Sequence, residues 1–145
     1  MPEFISLCWW RILVSAGIAY LLGSINFAVT YTKLIKKQDI RTMGSGNAGF
    51  TNMLRCVGVV PAVMTFVFDF LKGVVSVFGA KLIFGTLNIS DPVILSEYVY
   101  YGMFIAGLFC VVGHSYPVFF KFKGGKGVVT TAAMMLVIDW RFLLL

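Results

Sequence analysis

Val57-Gly58-Val59-Val60-Pro61-Ala62-Val63-Met64-Thr65-Phe66-Val67-Phe68, then Asp69-Phe70-Leu71-Lys72, then Gly73-Val74-Val75-Ser76-Val77-Phe78-Gly79-Ala80-Lys81-Leu82-Ile83-Phe84, decides the class of this protein. A helix crosses a bilayer with about 20 apolar residues, and this stretch is longer, interrupted by Asp69 and Lys72. Three further apolar stretches lie around it: about Ile12 to Ile35, about Tyr98 to Val112, and one starting at Val128. The composition agrees. Of 145 residues, 59% are hydrophobic and 12% charged, against roughly 25% charged in soluble domains, and the mean hydropathy is +0.91. A soluble fold this small cannot bury so much apolar surface. A soluble domain, a disordered chain and a coiled coil are excluded on that ground. The expected class is all-α: a polytopic α-helical membrane protein with about four spans and a fifth cut off at the C-terminus. We expect one integral membrane domain over residues 1–145 and no separate soluble domain. Asp139-Trp140-Arg141 reads as a short polar turn, and Phe142 to Leu145 as the first turn of the interrupted span.

Charge gives the orientation. Twelve Lys+Arg against six Asp+Glu leave a formal charge of +6. In a membrane protein this points to basic cytoplasmic loops and anionic partners rather than to nucleic acid. The loop from Lys36 to Arg55 carries Lys36, Lys37, Arg41 and Arg55 with one acid, Asp39; the loop from His114 to Gly127 carries Lys121, Lys123 and Lys126 with none. The loop between them, Gly85 to Glu97, has only Asp91 and Glu97. Basic loops face the cytoplasm, so the N-terminus is expected outside. Trp9, Trp10 and Arg11 read as an interfacial anchor ahead of the first span. Cys8, Cys56 and Cys110 are odd in number and widely spaced, and read as unpaired thiols. Asn88-Ile89-Ser90 is a weak glycosylation sequon on the outer side.

Both basic loops are rich in glycine. The first holds Gly44-Ser45-Gly46-Asn47-Ala48-Gly49-Phe50-Thr51-Asn52-Met53-Leu54-Arg55. Its GxGxxG spacing copies a dinucleotide fingerprint, but no strand or βαβ unit surrounds it, so no nicotinamide or flavin is expected. Converging backbone N–H groups at Gly44, Gly46 and Gly49 suit an anion. Ser45, Asn47, Thr51 and Asn52 add donors, and Arg55 can grip a phosphate with two hydrogen bonds. A polar connector would have the same composition. The second loop ends Lys121-Phe122-Lys123-Gly124-Gly125-Lys126-Gly127 before an apolar helix. It departs from a P-loop at Phe120 and Gly127 yet offers a second phosphate cradle. The alternative is a basic interfacial turn, anchored by Phe119, Phe120 and Phe122. His114, the only histidine, is a candidate general base; a hydrogen-bonded structural role is the commoner use. Asp69 and Lys72, three residues apart on one helix face, read as a self-neutralising structural pair.

In these two loops the chain resembles the bacterial acyl-phosphate:glycerol-3-phosphate acyltransferases of the PlsY type. The matching residues are Gly23-Ser24-Ile25, Asp39-Ile40-Arg41, Gly44 to Gly49, Thr51-Asn52, Arg55, Asp69-Phe70-Leu71-Lys72-Gly73, Gly113-His114, and Tyr116 to Gly127, in order and in register. Phe50 stands where that family usually has a small residue, and Asn26 where proline is frequent. Members of the family run to about seven spans and carry a third cytoplasmic motif whose His and Asn are associated with activity. The resemblance therefore implies a C-terminally truncated member, the N-terminal part of a larger acyltransferase domain in the cell inner membrane.

It also implies an activity: transfer of a fatty acyl group from acyl phosphate to glycerol 3-phosphate, giving lysophosphatidic acid for phospholipid synthesis. Ser45, Arg55 and Asn47 are the expected catalytic residues. Gly44, Gly46, Gly49, Lys123, Gly124, Gly125, Lys126 and Gly127 are expected to bind substrate phosphate. His114, as a candidate general base, is a further site candidate. No metal-ligand cluster and no Ser–His–Asp pattern is visible, so no cofactor, metal or covalent intermediate is expected. The expected partners are the two substrates and membrane lipid; oligomeric state is not legible. Two other classes fit the residues: an anion transporter or channel subunit, whose site would lie at the membrane midplane, and an inactive remnant.

Overall fold

Chain direction changes wherever the sequence supplies a cap or a glycine. The computed structural model describes residues 2–143, and their regular structure is helical. The α-helices are α1 (Pro2–Ser24), α2 (Phe27–Ile35), α3 (Phe50–Cys56), α4 (Val59–Gly85), α5 (Pro92–Ser115) and α6 (Val128–Ile138). α1 and α2 form one apolar run broken at Asn26, whose Oδ1 accepts from Val29 N at 3.0 Å and caps α2. Asp91 caps α5 by accepting from Val93 N and Ile94 N, with Pro92 in the first turn.

Three segments are long and apolar enough to cross a membrane: Glu3–Ile35, Val59–Gly85 and Pro92–Phe120. α6 has 11 residues and is about 16 Å long at the helical rise, against a hydrocarbon core of about 30 Å. The stretch expected to be a fourth span is thus a short apolar helix among the described residues. After it, Asp139 pairs with Arg141 and Trp140–Leu143 make a 3-10 turn. Leu144 and Leu145, read as part of a fifth span, lie outside the described residues.

Two boundaries differ from the sequence reading. Trp9, Trp10 and Arg11 are inside α1, because the apolar face of that helix runs back to Phe4 and Cys8, both buried against Phe84 and Leu87. Glu97 is inside α5, because Leu95, Tyr98 and Val99 already pack on that same cluster. Burying them requires the helix to start at the Asp91 cap.

The helices meet through small residues. Ala19, Ala80, Ala106 and Cys110 form a buried seam joining α1, α4 and α5. A Cβ at Gly23 would lie 2.1 Å from Cys110 O, and one at Gly113 would lie 2.2 Å from Tyr20 O. Such approach is the usual source of helix affinity in lipid, where burying apolar side chains gains nothing over the acyl chains. Large apolar side chains face outward instead, with Leu13 65% and Val60 74% exposed. Both glycine-rich loops emerge at one end of the helices, and the loop between α4 and α5 emerges at the other.

Candidate active site

Buried side chains, more than its glycines, hold the first loop in shape. Asn52, fully buried, accepts Ser45 N on Oδ1 at 3.0 Å and donates from Nδ2 to Ile40 O and Met43 O. Asn26 reaches across from the start of α2 and donates to Ala48 O at 3.2 Å. The asparagine at position 26 therefore both caps α2 and supports the loop. Gly46 is required in its place by φ +72°, in the left-handed region. Asn52, expected from sequence to offer a donor to an anion, spends its donors inside the loop.

The second loop folds back on the end of α5. Gly124 N donates to Ser115 O at 3.0 Å and Gly125 N to His114 O at 3.1 Å. A Cβ at Gly125 would lie 2.2 Å from His114 Nε2 and 2.8 Å from Ala48 O. At this glycine the two loops and α5 meet.

Arg41 joins the loops. Its Nη1 donates to Phe120 O at 2.7 Å and Lys123 O at 2.9 Å, and its Nε and Nη2 are held by the Asp39 carboxylate. The hydrogen-bonded guanidinium pulls the Asp39 carboxyl from 3.8 down to about 2, against the opposing effect of partial burial. A carboxyl lowered in the folded state contributes stability that is complete above its unfolded pKa and lost as pH falls through the folded one. The parent should therefore unfold at a higher temperature than Asp39→Asn above about pH 4, with the difference shrinking toward pH 2. Thermal unfolding in detergent at several pH values checks this.

Between the loops lies a cavity of about 800 Å³. Ser45, Asn47, Thr51, Arg55 and Lys126 form its polar side; Phe50, Val63, Phe66, Val128 and Val129 form an apolar wall; Gly49 and Gly127 complete the rim. Phe50 stacks edge-on to Phe66 with centroids 5.9 Å apart, so the unusual residue at position 50 joins the apolar wall. Among the described residues neither Arg55 nor Lys126 has a carboxylate partner. Two unneutralised cations against an apolar wall suit an amphiphilic anion.

Asp69 and His114 also line the cavity, both almost fully buried. Lys72 Nζ lies 2.8 Å from Asp69 Oδ1 and 2.8 Å from His114 Nδ1, and donates to Gly23 O at 3.2 Å and Ile25 O at 3.0 Å. Those carbonyls are exposed by the break between α1 and α2, where a helix end leaves acceptors unpaired. The intrahelical pair read from the sequence is present, and His114 from α5 is added to it. Sequence spacing could not relate residues 42 positions apart.

Of the residues expected to form the site, the structure brings Ser45, Asn47, Gly49, Arg55, His114, Lys126 and Gly127 to one cavity. Gly44, Gly46, Gly124 and Gly125 shape the loops from behind. Lys123 does not line the cavity: its carbonyl is held by Arg41 and its side chain is exposed.

A family model described as glycerol-3-phosphate acyltransferase matches residues 13–145. A glycerol-3-phosphate acyltransferase of Thermoanaerobacter pseudethanolicus is 42% identical over 127 residues, covering 88% of this chain and 57% of that protein. One from Coxiella burnetii is 44% identical over 124 residues, covering 86% and 58%. Among solved structures, the glycerol 3-phosphate form of PlsY (YgiH), an integral membrane glycerol 3-phosphate acyltransferase, superimposes with a TM-score of 0.75 at 37% identity, covering 92% of this chain and 60% of that one. The chain spans a little over half the length of the curated relatives it matches.

Proposed function

Because this chain belongs to the glycerol-3-phosphate acyltransferase family, we propose that its cavity serves acyl transfer from acyl phosphate to glycerol 3-phosphate. The hydroxyl oxygen forms the new ester bond to the acyl carbon as the carbon–oxygen bond to phosphate breaks. The hydroxyl proton leaves with the departing phosphate, and the products are lysophosphatidic acid and inorganic phosphate. The carrying observation is that Arg55 and Lys126, from loops far apart in sequence, line one cavity with an apolar wall. Both substrates carry phosphate, and one carries a tail that belongs in lipid. Acyl phosphate is already an activated anhydride, so the protein's task is alignment and stabilisation of charge on the carbonyl oxygen and departing phosphate. Ser45, Asn47 and Arg55 act on one side, and Lys126 with Gly127 on the other. Residues 1–145 belong to a single integral domain of the cell inner membrane.

The test is incorporation of labelled glycerol 3-phosphate into lipid by membranes containing the chain, together with calorimetric binding of glycerol 3-phosphate to the purified protein. Label in lysophosphatidic acid that depends on acyl phosphate is the expected result. No transfer, combined with no binding dependent on Arg55 and Lys126, would overturn the reading.

We place both glycine-rich loops in the cytoplasm, from the charge asymmetry of the loops. Gln38, Asn88 and Phe122 are all exposed. In a Cys56→Ser background, cysteines at positions 38 and 122 should resist an impermeant thiol reagent on intact cells, and one at 88 should react. Labelling at 38 would reverse the orientation.

Gly125→Ala should slow transfer about 100-fold, the cost of moving aligned groups by about 1 Å. Its Cβ meets the Ala48 carbonyl, a backbone atom that cannot rotate away. Membrane insertion should be unchanged. Wild-type kinetics would show that the loops do not need this contact.

A further inference from the structure

We propose that His114 is a substrate-positioning donor: its Nε2–H, oriented by Lys72, hydrogen-bonds a phosphate oxygen held over the second glycine loop. The inference rests on the acyl-transfer reading and adds a residue and a proton position to it. An ammonium group has three donors and no acceptor. Lys72 Nζ lies 2.8 Å from His114 Nδ1, so Nδ1 must be the acceptor in that contact, and the ring proton belongs on Nε2. Of the other two donors of Lys72, one goes to Asp69 Oδ1 at 2.8 Å and the last is shared between the carbonyls of Gly23 at 3.2 Å and Ile25 at 3.0 Å. Asp69 Oδ1 is farther from Nδ1, at 3.4 Å, than from the ammonium. The carboxylate therefore serves the lysine, and does not accept from the ring as in an Asp–His pair that makes Nε2 a base.

Nε2 is at the other edge of the ring. Among the described residues it makes no hydrogen bond, although His114 is only 3% exposed and lines the cavity. Its near neighbour is the backbone at Gly125, next to Lys126. A polar N–H that faces a cavity and has no protein partner gains from any acceptor that reaches it. One that opens onto a cavity between two cationic loops has its partner supplied by an anionic ligand. With its proton on Nε2, the ring cannot accept the hydroxyl proton of glycerol 3-phosphate. His114 thus holds the phosphate and leaves the proton to the substrate itself.

The chain contains one histidine, so selective ¹⁵N-histidine labelling in lipid nanodiscs reports this ring alone. The expected spectrum has a protonated Nε2 and an unprotonated, hydrogen-bonded Nδ1, and glycerol 3-phosphate or inorganic phosphate should shift the Nε2 signal. Lys72→Met should reverse the tautomer preference, moving the ring proton to Nδ1, where Asp69 Oδ1 lies 3.4 Å away. In the transfer assay His114→Ala should lose about 100-fold. His114→Gln, whose amide N–H reaches near the Nε2 position, should stay within about tenfold of the parent, the worth of a neutral hydrogen bond. A ring protonated on Nδ1, an Nε2 signal indifferent to both phosphate ligands, or a folded His114→Gln no better than His114→Ala would each overturn the proposal. The expected tautomer and phosphate shift without acyl transfer would support the donor and count against the acyl-transfer reading.

Discussion

Arg55→Ala is expected to lower acyl transfer by about 100- to 1,000-fold, the usual cost of removing one preorganised charge-stabilising group. Fold stability should hardly change. Arg55 is exposed at the end of α3 and has no carboxylate partner among the described residues, so its loss strands no buried charge. Ser45→Ala should fall in the same range of rate, because the Ser45 backbone N–H, not its hydroxyl, is what Asn52 uses to shape the loop. Arg55→Lys separates charge from geometry. It keeps the cation but loses the planar fork that grips two phosphate oxygens, and should recover only part of the rate. The measurement is transfer per inserted protein, alongside binding of glycerol 3-phosphate. Turnover near the parent level in both Arg55→Ala and Ser45→Ala would remove these residues from the chemistry.

The long apolar stretches and loop charges were readable because lipid imposes them residue by residue. The 57–84 stretch and helix α4 agree to within two residues. The convergence of the two glycine loops could be expected from their matching charge and their separation by two spans. What local pattern could not carry were contacts closed by the fold. Arg41 looks like one more basic loop residue until its guanidinium is found on Phe120 O and Lys123 O. Lys123 has the same composition signal as Lys126, yet only Lys126 lines the cavity: Arg41 holds the Lys123 carbonyl, and Gly124 and Gly125 between the two lysines fold back onto Ser115 O and His114 O. Asn52 does line the cavity, but its amide donors are held by Ile40 O and Met43 O, and an amide beside a glycine loop has the same identity in sequence whether its donors are free or spent. The end of α6 at Ile138 agrees with the polar turn read at Asp139-Trp140-Arg141; what was overread was its reach, because apolar composition alone does not make 11 residues long enough to span.

Lys72→Met should be the most destabilising single change described here, at about 3–5 kcal/mol, the cost of leaving one member of a buried ion pair alone. It strips Asp69 of its cation and Gly23 O and Ile25 O of their donor. Both residues are buried, with side chains 7% and 5% exposed, so water replaces the lost contacts poorly. Asp69→Asn should cost less, about 1.5–3 kcal/mol for one charged hydrogen bond, because the ammonium keeps His114 Nδ1 and two carbonyls. The order Lys72→Met worse than Asp69→Asn follows from counting partners: the three N–H groups of the lysine are surrounded by four acceptors, whereas the aspartate holds one cation. Relief is also specific. Once Lys72 is gone, the imidazole is released to carry its proton on Nδ1 and donate to Asp69, now its nearest charged neighbour at 3.4 Å. His114→Ala in the Lys72→Met background should therefore cost stability that the same change does not cost in the Asp69→Asn background. Unfolding free energies of the singles and doubles in mixed micelles decide it. Equal losses for Lys72→Met and Asp69→Asn, or additivity across both backgrounds, would show that the three side chains do not act as one charge cluster beneath the cavity.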